Sequence, residues 1–319
     1  PGLASGFLGG GARAVGVRLG SAAGEPGAGG PGGLGGGAVV RCREGVISNA
    51  PIWDTLKLLP EGGASRNNPK VAAWAAARAA TPATGSFVHL HLGIDAAGLP
   101  EDLDCHHSVL LDWGLGITGR ENMYIVSIPS LFDAQLAPEG KHVVHVYAAA
   151  SEPYGAWEGM DRKSKAYADA KKRAAEPLWA ALETIVPDIR SRVEVDLCGT
   201  PLTHERFTRR HQGTYGPSGG KVEGDLDFLG SSTPISGLKL CGDSCFPGIG
   251  VPAAAASGVI AAHTFVPLGQ HLALLDELKQ GGKLHAGRGW WAAPGDPPIA
   301  PGGRISMRCE EGSPEAYSL

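Results

Sequence analysis

Residues 238–258 hold the densest run of chemically useful residue types in this 319-residue chain. A short apolar stretch, Leu238-Lys239-Leu240-Cys241, delivers Gly242-Asp243 at its C-terminal end. Phe246-Pro247-Gly248-Ile249-Gly250-Val251-Pro252 then makes a tight loop, and Ala253-Ala254-Ala255-Ala256-Ser257-Gly258 begins a helix of little side-chain bulk. Glycines let backbone approach a ligand closely. The unpaired N–H groups and positive dipole end of a helix suit a negatively charged group, and small residues let that helix pack near a flat ring. A carboxylate at a strand's end accepts hydrogen bonds from sugar-like hydroxyls. Together these features describe a flavin site.

Other polar groups invite competing readings. Cys105-His106-His107 and the pair His142 and His145 are of zinc-ligand type. Their spacings do not form two closing pairs, and His142 and His145 on one strand point to opposite faces, so no metal ligand is assigned. Cys241 and Cys245 flank the Gly-Asp turn and read as two buried small residues rather than a redox pair. His89 and His91 share one face of a strand, lining a pocket or facing solvent. Arg206, Arg209, Arg210 and His211 read as a solvated helix face, with an anchor at a membrane surface as the alternative. No catalytic residue is assigned.

The elements that must position these groups follow from the hydrophobic pattern. Val15, Val17 and Leu19 alternate as a half-buried strand, residues 20–37 are almost wholly Gly, Ala and Pro, and residues 38–47 resume as a second strand. The pair reads as one hairpin with an inflated turn, tolerable because closure entropy rises only logarithmically with length. Residues 69–80 read as a helix, and residues 86–92, 123–128, 142–148, 193–197 and 238–241 as strands. A long helix spans 162–186 with Leu178, Ala181, Leu182 and Ile185 at helical spacing. Thr200-Pro201 starts a short helix, and further helices fall at 252–264 and 271–279. A net charge of −4 and a pI near 6.3 argue against general attraction to nucleic acid. No run of 18 apolar residues exists, and six scattered cysteines favour a reducing compartment. The start at Pro1, without Met or a basic amphipathic leader, is expected of a fragment or of a processed chain.

Leu240-Cys241-Gly242-Asp243-Ser244-Cys245-Phe246-Pro247-Gly248-Ile249-Gly250-Val251-Pro252-Ala253 resembles the C-terminal FAD motif of plant and algal carotenoid isomerases and their phytoene desaturase relatives. Two further blocks resemble the same family: Val46-Ile47-Ser48-Asn49-Ala50-Pro51-Ile52-Trp53-Asp54-Thr55, and Gly199-Thr200-Pro201-Leu202-Thr203-His204-Glu205-Arg206-Phe207 with Gly213-Thr214-Tyr215-Gly216. The resemblance covers about residues 12–280. It implies FAD, with Gly242, Asp243, Gly248, Gly250, Val251, Pro252 and Ala253 as cofactor-binding residues: the Gly-Asp pair at the ribityl chain, the helix N-terminus at the pyrimidine side of the ring. One departure stands out. Family members open with a strand, a G-x-G-x-x-G turn and a helix for the FAD pyrophosphate. Gly9-Gly10-Gly11-Ala12-Arg13-Ala14 fits that pattern loosely, but no apolar strand precedes it, and the residues after it alternate as a strand.

The resemblance therefore implies an α/β fold with an α+β substrate domain, the C-terminal part of a two-domain FAD-dependent oxidoreductase without its N-terminal G-x-G-x-x-G Rossmann unit. The expected organisation is a partial FAD-domain hairpin at 1–62, a substrate domain at 63–200, the rest of the FAD domain at 201–280, and a disordered tail at 281–319. The implied activity is cis-trans isomerisation of a prolycopene-like polyene. A net-redox desaturase or amine-oxidase-like enzyme, and a non-catalytic fragment, remain open beside it. The implied partner is a lipophilic polyene, with no nucleic acid, and the implied location is the plastid, soluble or at a membrane surface.

Overall fold

The computed structural model describes residues 4–9, 13–19, 38–60, 67–116, 119, 121–148, 151–218 and 228–283. The Gly-rich insertion at 20–37 and the expected tail from residue 284 onward lie outside them. Helices and strands are mixed through the chain, an α/β fold as expected.

The chain opens with β1 (Ala4–Gly9) and β2 (Ala14–Leu19), paired antiparallel, and β3 (Val39–Arg41) adds antiparallel to β2. A strand does precede Gly9-Gly10-Gly11, contrary to the sequence reading, but the chain returns from it as another strand. A dinucleotide turn needs strand, turn and helix, so this segment is not one. The expected strand over residues 38–47 is in fact two. β3 completes the hairpin sheet, whereas β4 (Val46–Ser48) leaves it and pairs in parallel with a strand nearly 200 residues later. After β4 come α1 (Ile52–Lys57) and α2 (Pro69–Ala79); Asn68 Oδ1 accepts from Lys70 N at 3.0 Å and Pro69 occupies the first turn.

The largest unit is a five-stranded antiparallel sheet built from β5 (His89–Asp95), β6 (His106–Leu110), β7 (Met123–Ser127), β8 (Lys141–Ala148) and β9 (Val193–Gly199), in the order β6-β7-β8-β5-β9. Between β8 and β9 run α3 (Lys165–Ile185) and the short α4 (Ile189–Arg192). Ser164 caps α3, its Oγ accepting from Tyr167 N at 3.1 Å. Strand alternation sends Leu90, Leu92, Ile94, Val126, Val144 and Val146 to one face, where Leu178, Ala181 and Leu182 of α3 bury with them. Each large aliphatic side chain so buried stabilises by roughly 1.5–3 kcal/mol. The same alternation sends His89, His91, His145 and Tyr147 to the opposite face.

From the end of β9 the chain enters α5 (Pro201–Thr208), N-capped by Thr200 in a reciprocal capping box with Thr203. Then come β10 (Leu238–Leu240), parallel to β4, and α6 (Val251–His263). α7 (Leu268–Gln280) belongs to a second compact unit that begins at Val266. Among the described residues, no single helix is long and apolar enough to cross a membrane.

Candidate active site

β10 is a buried three-residue strand whose register with β4 carries the chain to Gly242 beside Asn49. Gly242 has φ +95°, and a Cβ there would sit 2.5 Å from Asn49 Oδ1. Only glycine fits both the dihedral and the space. Its N–H donates to Ser257 Oγ at 2.7 Å, and Ser257 donates in turn to Ala254 O at 2.6 Å. The strand end and the first turns of α6 are thereby fixed to one another. Gly250, with φ +104° and open space where a Cβ would be, turns the chain into α6.

Of the seven proposed cofactor residues, Gly242 and Gly248 are buried, Asp243 and Ala253 half-buried, and Gly250, Val251 and Pro252 exposed at the helix start. Val251 is 85% exposed, and Phe246 and Ile249 are exposed with it. Three exposed apolar side chains thus fall at or just before the start of α6. Cys241 and Cys245 are free thiols, and burial pushes Cys245 up to about 12, so it packs as a small apolar group.

Asp243 has only 12% of its side chain exposed. Burial pushes its carboxyl above the usual carboxylate range, while the Arg210 guanidinium and the backbone N–H groups of Asp243 and Ser244 pull the other way. Arg210 pairs directly with Asp243 Oδ2. It also donates from Nε to Thr214 O at 2.5 Å and lies 5.0 Å over the Tyr215 ring. Arg210 therefore does not belong to a solvated helix face, as its sequence neighbours suggested. No periodicity marked it; only its place just beyond α5, with Arg209 at φ +57°, turns it towards Asp243.

The three sequence blocks converge here. Ile52 N of α1 donates to Ser244 Oγ at 3.2 Å, Asp54 Oδ2 accepts from His211 N at 2.7 Å, and the Trp53 and His211 rings stack at 5.1 Å. From Asp243 a polar path runs through Arg210 and Tyr215, whose hydroxyl meets His204 Nδ1 at 2.9 Å. It continues on the outer face of the sheet, where His204 stacks on His89 at 4.7 Å and Phe87 packs edge-on to Tyr215. His89 is thus half-buried among these rings, whereas His91 is exposed at the edge of a cavity. His142, as expected, is on the other side of β8 from His145, bonded to Ser130 Oγ at 2.9 Å. Beyond the histidines lies a cavity of about 390 Å³, lined by His91, Gly93, Val143, His145, Val195 and Leu197 among others.

Burial disfavours the charged form of His89 and His145. His89 is lowered to about 3, by burial first and then by His204, His91 and His145. His145 falls to about 4 by burial and its neighbours His91 and His204. Sequence reasoning missed Arg210, Tyr215, His204 and Ser257 as parts of one site, because each reaches it from a different element.

No family model matches the chain. It is 40% identical over 225 residues to prolycopene isomerase 2, chloroplastic, of an Oncidium hybrid cultivar, covering 68% of this chain and 36% of that protein. It is 38% identical over 221 residues to the Daucus carota prolycopene isomerase, chloroplastic, covering 68% of this chain and 34% of that one. The Arabidopsis thaliana protein of the same name is 38% identical over 224 residues, covering 68% and 36%. A solved oxidoreductase from Methanosarcina mazei superposes with a TM-score of 0.48 at 16% identity, covering 82% of this chain and 48% of that one. The chain spans about a third of the length of the curated relatives it matches. Over that span it is a carotenoid isomerase-like protein.

Proposed function

We propose that this chain provides the ribityl and ring half of an FAD site in an enzyme that isomerises a poly-cis, prolycopene-like polyene. The observation that carries this reading is the convergence of residues 46–55, 199–216 and 240–253 on Asp243. The residues fit the cofactor. Gly242 and Gly250 give backbone access, Asp243 is a hydroxyl acceptor held by Arg210, and the start of α6 offers N–H groups to the anionic side of a flavin ring. A reduced flavin held there would supply the electron density needed to lower the bond order of a conjugated C=C. The chain's own part is positional. Val251, Phe246 and Ile249 exclude water from the ring face, and the apolar cavity beyond His91 and His145 receives the lipophilic chain.

The same reading makes the chain the C-terminal part of a two-domain enzyme, with the pyrophosphate-holding Rossmann unit outside the described residues. The names of its relatives support a plastid location, and the lipophilic substrate supports work at or near a membrane surface. The test is reconstitution of the purified chain with FAD, followed by product analysis on a poly-cis carotenoid. A bound-flavin spectrum, with conversion only under reducing conditions and no change in product mass, is expected. Added double bonds would instead make it a desaturase, and a colourless protein that cannot take up FAD defeats the enzyme reading for this chain.

A further inference from the structure

The outer face of the five-stranded sheet carries three imidazoles that the flavin reading leaves unused. In the β5–β8 register His91 stands directly opposite His145, and His89 is two residues along β5 on the same face. The His91 and His145 rings lie parallel, 4.1 Å apart with 2° between planes. His89 Nδ1 is 3.2 Å from His145 Nε2. One ring nitrogen from each of the three residues falls within 4.8 Å of the others, and no further group of this kind occurs among the described residues. It is Nδ1 of His89 that faces His145, while its Nε2 is buried against Gly199. The hydrogen bond between His89 Nδ1 and His145 Nε2 needs only one proton, so the three clustered imidazoles offer nitrogen lone pairs of metal-ligand type.

We propose that His89, His91 and His145 bind one divalent cation of borderline softness, Zn²⁺, Cu²⁺ or Ni²⁺, through a ring nitrogen each. The donor set selects that class, since imidazole suits these ions and the hard cations take oxygen ligands. The scaffold is rigid: all three ligands project from paired strands. Gly199 opposite His89 has no Cβ, which leaves the ring its place. Three protein ligands leave at least one coordination position open, and His91 and His145 also line the 390 Å³ cavity. The ion would therefore face the same cavity that the proposed function gives to the lipophilic chain, from the side of Val143, Val195 and Leu197. The metal test needs neither flavin nor polyene, so its outcome is read independently of that function.

The test is calorimetric titration of the flavin-free chain with Zn²⁺ alone, with the cysteines kept reduced. Binding of one ion per chain is expected, weakened at least about tenfold in His91→Ala and in His145→Ala, since loss even of outer-shell partners costs about 10–100-fold. His107→Ala, whose ring Nε2 meets only Asp104 O at 2.8 Å on the surface, keeps full affinity. His91 is itself exposed, so its truncation spares the core. Should a variant fail to fold, imidazole nitrogen NMR of the unmodified chain decides: three of the eleven histidine rings respond to one equivalent of Zn²⁺. Absence of stoichiometric binding, affinity unchanged in both variants, or a response confined to His106 and His107 would each overturn the proposal.

Discussion

Across the β5–β9 pair the imidazole of His89 lies over Gly199, so close that a Cβ on residue 199 would overlap Nε2. Gly199→Ala is accordingly an overpacking change, expected to cost about 1–3 kcal/mol. In a His89→Ala background the same substitution becomes nearly neutral. Urea unfolding of the four proteins in the cycle measures the coupling. Additive effects would mean that the ring and residue 199 do not compete for the same space.

Ser257 ties the Gly-Asp turn to α6 by accepting from the buried Gly242 N–H. Ser257→Ala leaves that donor unpartnered, at a cost of about 1–3 kcal/mol. Thermal and urea denaturation provide the measurement. A change within about 0.5 kcal/mol, as at an uninvolved surface position, would remove Ser257 from this role.

Arg210 pulls Asp243 down against the burial that raises it. In Arg210→Gln only burial and the backbone N–H groups remain, so the Asp243 carboxyl titrates at higher pH than in the parent. Carbon NMR of that carboxyl follows the change directly. A titration that moves lower, or not at all, would show that the ion pair is not what offsets burial.

Acid should weaken the metal-free fold through the histidine cluster. His89 falls from 6.5 to about 3 and His145 to about 4, foremost by burial, with His204 and His91 adding to both shifts and His145 and Lys171 to that of His89. Between those values and 6.5 the unfolded chain binds more protons than the folded one, so unfolding free energy rises with pH there. The stabilisation is complete above pH 6.5 and is lost as pH falls towards 4 and then 3. Denaturation midpoints measured with chelator present should drop across that window, and less so in His89→Ala. A flat profile would argue that the rings are solvated.

Much of this was legible in the sequence because it rests on local signals. The alternation of Val88, Leu90 and Leu92 against Phe87, His89 and His91 announced a two-faced strand, and both faces are found. The spacing of Leu178, Ala181 and Leu182 placed α3 on the core, and Thr200-Pro201 marked the start of α5. What stayed hidden depends on pairing at a distance. Nothing in residues 38–48 distinguishes the piece that stays with β2 from the piece that pairs with β10. Arg210 sits in a basic cluster that looks solvated until a left-handed turn at Arg209 brings it to Asp243. His145 meets His91 only through strand register, which single-residue patterns do not encode.

The parallel pairing of β4 with β10, reinforced by a hydrogen bond between residues 192 positions apart, has a consequence for biogenesis. A chain emerging from the ribosome completes β5 to β9 and α3 before Leu238 has been made, and those strands find partners among near neighbours. β4 and α1 must wait through that whole interval with their mates unsynthesised, since long-range closure comes late. The contacts around Asp243 therefore form only after the strands of the five-stranded sheet have been made.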